Sequence, residues 1–62
     1  MVLKKVFRRG EVAPQEYMTE DRRYYIRKHN SGKGWAVFKI SENNRYKFYR
    51  TFSSLQEVRE LP

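Results

Sequence analysis

Between Arg22 and Phe52, apolar and polar residues alternate in three short runs separated by two polar turns. Alternation of period two predicts strands, because successive side chains of a strand point to opposite faces. One parity gathers Tyr24, Ile26, Ala36, Phe38, Ile40, Tyr46, Phe48 and Phe52 into an expected core face. The other gathers Arg23, Tyr25, Arg27, His29, Trp35, Val37, Lys39, Arg45, Lys47, Tyr49 and Thr51 into a face that is basic, aromatic and free of carboxylates.

The turns set the register. Read as a three-residue loop, Ser31-Gly32-Lys33 puts Asn30 opposite Gly34; Glu42-Asn43-Asn44 likewise puts Ser41 opposite Arg45. Both loops hold a Gly or Asn suited to the left-handed conformation that such hairpins need. The expected rows are then Ile26, Phe38, Phe48 and Tyr24, Ile40, Tyr46 on the core side, with Lys39 opposite Lys47 on the other. A two- or four-residue first loop moves Trp35 and Val37 to the core side instead, since a slip of one residue turns every side chain over.

After Phe52, Ser53 and Ser54 precede Gln56 and Glu57 at capping-box spacing. Leu55, Val58 and Leu61 form one helical stripe, which predicts a helix to about Leu61 lying over Ile26, Phe38 and Phe48. The segment Met1 to Arg9 fits a short helix or a strand, and Lys4, Lys5, Arg8 and Arg9 make it a basic arm. Either the arm orders on phosphate, or Val6 and Phe7 dock on the sheet. Glu11 to Asp21 reads as an acidic connector with a helical turn beginning at Pro14. The expected fold class is α+β: a three-stranded antiparallel sheet packed on one C-terminal helix, with an N-terminal basic segment. Residues 1–21 form the arm and connector, and residues 22–62 the sheet and helix.

Composition narrows the function. At 62 residues the chain is one small domain, a size at which stability is marginal. It has no cysteine, so neither a disulfide nor a thiolate zinc site staples it, and a reducing cytoplasmic setting is expected. The start lacks the apolar run of a secretory leader, and no stretch has the length of a membrane span. Lys and Arg total 14 against 7 Asp and Glu, a net charge of +7, which points to an anionic partner such as nucleic acid. From Arg22 to Phe52 the basic residues are Arg22, Arg23, Arg27, Lys28, Lys33, Lys39, Arg45, Lys47 and Arg50, and within that stretch Glu42 is the one acid.

Catalysis is not expected. His29 is the one histidine, with no spaced carboxylate or hydroxyl to position it for acid–base work. Ser31-Gly32-Lys33-Gly34 lacks the spacing and following helix of a phosphate loop. The sequence calls for no cofactor and no metal. The basic-aromatic face is the candidate site. Lys39 opposite Lys47 is unfavourable in a free sheet, and a phosphate there relieves the repulsion. Tyr25, Trp35 and Tyr49 either stack on bases or wedge into a groove, or else shield the sheet under nearby cations.

The pattern Tyr-Ile-Arg-Lys, Gly-Lys-Gly-Trp-Ala-Val, Tyr-Lys-Phe-Tyr-Arg-Thr-Phe and Ser-Leu-Gln-Glu-Val resembles the arm-type DNA-binding domains of phage and transposon tyrosine recombinases. It is also similar to the plant ethylene-response-factor DNA-binding domain. The resemblance covers about Arg22 to Leu61. It implies a sheet face lying in the major groove of double-stranded DNA with the helix behind it. Arg23, Tyr25, Arg27, Trp35, Lys39, Arg45 and Lys47 then face the DNA, and Lys4, Lys5, Arg8 and Arg9 serve as the arm. It further implies a small accessory factor of a phage or plasmid. A reading of another class is a small phage-type inhibitor that docks the same face, with Trp35, Tyr49 and Arg27 as anchors, on an acidic protein surface. RNA, stacked on the exposed aromatics, is a third partner.

Overall fold

The computed structural model describes residues 1–61. Five strands and one helix follow each other: β1 (Leu3–Arg8), β2 (Glu11–Thr19), β3 (Tyr24–Lys28), β4 (Trp35–Ile40), β5 (Tyr46–Phe52) and α1 (Leu55–Arg59). Every strand pairs antiparallel with the next, giving one sheet in the order β1-β2-β3-β4-β5. Among the described residues no helix is long and apolar enough to cross a membrane.

This corrects the expected fold class. The sheet has five strands rather than three, and the molecule is mostly β with one short helix. The segment expected as a basic arm is β1, and the expected acidic connector with its helical turn is β2. A helix of about nine residues is marginal alone. As strands, both segments pair their backbone groups, and β2 covers an edge of β3 that would otherwise stand open. Arg8 and Glu11 face each other across a two-residue turn in which Arg9 (φ 53°) and Gly10 (φ 81°) are both left-handed, the geometry of a tight hairpin. The β1–β2 ladder breaks between Lys5 and Phe7. There Pro14 has no N–H to give, and Gln15 turns to φ 60°.

The first central turn differs from its expected form. His29 and Gly34 close it, His29 N–H donating to the Gly34 carbonyl at 3.1 Å, so Asn30 to Lys33 make a four-residue loop. Two glycines in the left-handed region shape it, Gly32 at φ 80° and Gly34 at φ 77°. The pairing is therefore Ile26 with Val37 and Lys28 with Trp35. Trp35 and Val37 turn to the core, while Ala36, Phe38 and Ile40 take the opposite side. The second hairpin has the expected three-residue loop, with Ser41 N–H donating to the Arg45 carbonyl at 2.9 Å and Phe38 facing Phe48.

One further irregularity completes the core. Phe38 pairs with Phe48 but Val37 pairs with Arg50, so β5 bulges at Tyr49. Without the bulge, Phe48 and Phe52 would share a side. With it, Phe52 joins Trp35 on the helix side. There Ile26, Val37, Phe52 and Val58 form the buried cluster, with Leu3, Tyr17, Tyr24, Trp35, Leu55 and Leu61 packed around it. The helical stripe thus lies over Ile26, Val37 and Phe52, not over Phe38 and Phe48. Ser54 caps α1, its Oγ accepting from the Glu57 N–H at 3.3 Å.

Gly34 is where the turn meets β5. A Cβ there would lie 2.8 Å from the Phe52 carbonyl oxygen, whereas nothing stands near Gly32. Left-handed strain alone makes Gly32→Ala cost about 1–2 kcal/mol. Gly34→Ala is expected to cost more, because backbone must also move. Urea unfolding followed by Trp35 fluorescence checks this, and equal losses at the two glycines would contradict the packing of Gly34 on Phe52.

Candidate nucleic-acid interface

Because α1 covers one side of the sheet, β4 and β5 present two chemically distinct surfaces. On the helix side, beyond the helix, Lys39 faces Lys47. Lys39 Nζ stands 4.6 Å from the centre of the Tyr49 ring, which in turn lies 6.2 Å from Tyr24. Lys28 Nζ lies 4.8 Å from the Trp35 ring and Arg50 4.8 Å from Phe52. Aromatic faces, not carboxylates, accompany these cations. Arg45 ends the β4–β5 turn, its N–H donating to Ser41 Oγ at 3.1 Å.

The other side carries no helix. Tyr25, Phe38, Tyr46 and Phe48 form a chain of rings there, with centroids 6.0 Å apart for Tyr25–Phe38, 5.3 Å for Tyr25–Tyr46 and 5.7 Å for Phe38–Phe48. Phe48 and Tyr46 are about half exposed, at 55% and 52%. Arg27 borders the rings and donates to Asn30 Oδ1 at 2.8 Å.

The structure divides the residues expected on one binding face. Tyr25 and Arg27 are on the open side; Lys39, Lys47 and Tyr49 are on the helix side. Trp35 packs against the core, 5.8 Å from Tyr17, and does not stand among the exposed residues of the face. Arg23 lies in the β2–β3 turn, with Nε 3.8 Å from Asp21 Oδ2. In the expected arm, Lys4 pairs with Glu20 at 3.5 Å and Arg8 with Glu16 at 2.7 Å. Lys5 faces Tyr17 on β1, and Arg9 sits in the first turn. Lys28, Arg50, Phe38, Tyr46 and Phe48 were not expected at the surface of a site. The signal for the rings was present: Phe48 and Phe52 share a parity, so both can be core only if β5 is regular.

Tyr25 is buried although its side of the sheet is open. Its hydroxyl donates to Glu16, which also accepts from Arg8 Nη2 at 2.7 Å and Nε at 3.3 Å. The hydrogen bond from Arg8, then that from Tyr25, holds the Glu16 carboxyl below its ordinary range. Burial, then the bond to Glu16, raises the Tyr25 phenol. Asp21 is lowered too, first by the Thr19 hydroxyl and then by the Arg23 N–H.

Comparison of the chain with protein-family models, with curated proteins and with solved structures finds no match.

The depressed Glu16 sets a sign for pH dependence. A carboxyl with a lowered folded-state pKa adds stability above its unfolded pKa, and that stability is lost as pH falls through the folded value. Glu16→Gln is therefore expected to flatten the loss of stability between about pH 5 and pH 2. Asp21 leaves a residual slope of the same sign. Urea midpoints across that range check it, and an unchanged slope would remove Glu16 from the account.

Proposed function

We propose that this chain is a small DNA-binding module whose β4–β5 hairpin holds the duplex. The observation that carries this reading is where charge is neutralised. All three ion pairs among the described residues involve β1, β2 or the β2–β3 turn. The cations of β4, β5 and their turn, Lys39, Arg45, Lys47 and Arg50, make none, and Glu42 is the one acid among them. A directly opposed Lys39–Lys47 pair is unfavourable in the free protein, and a bound phosphate removes that penalty while releasing counterions.

Shape supports the same partner. The major groove admits a two-stranded ribbon. β5 is an edge strand, and every residue from Tyr46 to Thr51 is exposed. Lys39, Lys47 and Arg50 serve as phosphate contacts. Arg45, at the end of the hairpin turn, is the side chain best placed to reach a base edge, where arginine pairs with guanine. A cytoplasmic setting accords with this role and with the absence of cysteine.

Fluorescence anisotropy with a short duplex over a range of salt tests the reading. If about six phosphates are neutralised, log affinity falls against log salt with a slope of about −5. Lys39→Ala and Lys47→Ala are each expected to weaken binding and to reduce that slope by about 1. A response flat in salt, or variants with the parent slope, would count decisively against it.

A further inference from the structure

We infer that the open side of the sheet is a second binding surface, one that stacks unpaired bases of a single strand on Phe48, Tyr46 and Phe38. The inference rests on the nucleic-acid reading above but uses the side of β4–β5 that the duplex contact leaves unused.

Three observations carry it. First, the rings are both exposed and held. Phe48 and Tyr46 show about half their surface, while Phe38 meets Phe48 edge-on at 75° and Tyr46 meets Tyr25 at 66°. Tyr25 is fixed in turn by Glu16. Rings packed against neighbours lose little freedom when a base stacks on them. Second, a shallow recess of about 210 Å³ adjoins Phe38 and Phe48, with Ala36 as its small apolar wall and Arg27, His29 and Asn30 at its polar rim. That combination offers a flat apolar surface with donors and acceptors at its margin, which is what a base and its phosphate require. Third, charge selects among occupants. A second copy of this chain also carries +7 and is repelled. A polyanion bearing planar rings is attracted by the cations and has a face for each aromatic. Since β5 is the edge strand, a single strand crossing that edge meets Lys47 on one side and Phe48 and Tyr46 on the other. Stacking of this kind tolerates sequence, because every base has a π-face.

The test uses the full chain, with anisotropy at one low salt concentration and three probes: a short oligothymidine, an abasic strand of equal length, and a duplex. The oligothymidine is expected to bind at least about fivefold more tightly than the abasic strand. Phe48→Ala and Tyr46→Ala each lower oligothymidine affinity by about fivefold or more and leave the abasic strand and duplex unchanged. Phe48→Leu keeps apolar cover over Phe38 but has no π-face, so it separates stacking from folding, and it is expected to behave like Phe48→Ala. Equal binding of oligothymidine and abasic strand, with the duplex still bound, overturns the stacking surface and leaves the duplex reading standing. Absence of binding to all three probes overturns both. Sedimentation showing a dimer that Phe48→Leu dissolves overturns it in favour of a second copy on this face.

Discussion

Ile26, Val37 and Val58 are the three largest side chains with no solvent exposure, and their contact joins helix to sheet. Ile26 and Val37 face each other across β3 and β4, and Val58 closes over them from α1. Burying side chains of this size contributes about 1.5–3 kcal/mol each, against a total stability of about 5–15 kcal/mol for a domain. The five-residue α1 is far too short to persist alone, so it exists because this contact holds it. The register of the first hairpin, the bulge at Tyr49 and the clearance at Gly34 all serve the same cluster. One turns Val37 inward, one brings Phe52 beside it, and one lets the turn approach β5.

That choice determines what the rest of the sheet exposes. With Ile26 and Val37 claimed by the helix, alternation sends Phe38, Tyr46 and Phe48 to the uncovered side. Exposed rings beside an open edge invite pairing with other chains, and natural sheets guard such edges with charge. Lys47 and Arg50 stand on β5 in that position. The same cations that keep a foreign strand away attract a polyanion, so edge protection and phosphate binding act through the same side chains.

Much of this was legible in the residues, and the exceptions have physical causes. The second hairpin read correctly because Asn44 supplies a left-handed residue (φ 61°) in a loop of one length. The helix start and its serine cap also read correctly, being local features, although α1 ends at Arg59 rather than at about Leu61. The first hairpin did not, because the loop takes in Asn30 as well and closes at His29, which pairs with Gly34 in place of Asn30. That single residue exchanged the faces of β4 and moved Trp35 and Val37 inward. The strand form of β1 is one of two open readings and β2 reads as a connector, for another reason. Pro14 breaks the alternation of β2, and the ladder it interrupts is recognisable only once Lys5 is seen to face Tyr17 and Phe7 to face Val12.

The basic composition takes on meaning only through the position of the acids. Glu16, Glu20 and Asp21 lie on β2 and in the turn after it, where they neutralise Arg8, Lys4 and Arg23. Glu57 and Glu60 belong to α1 and its cap, Glu57 accepting at the capped end. Only Glu42 remains near the β4–β5 hairpin. The same residues spread evenly would keep the same isoelectric point but produce no directed field. Here β1, absorbed into the sheet and paired with its neighbours' carboxylates, removes acids from competition with a ligand. The N-terminal strands therefore do more than widen the sheet: by pairing with Glu16 and Glu20, the cations of β1 take two carboxylates out of play and leave the field of β4 and β5 to whatever anion the hairpin meets.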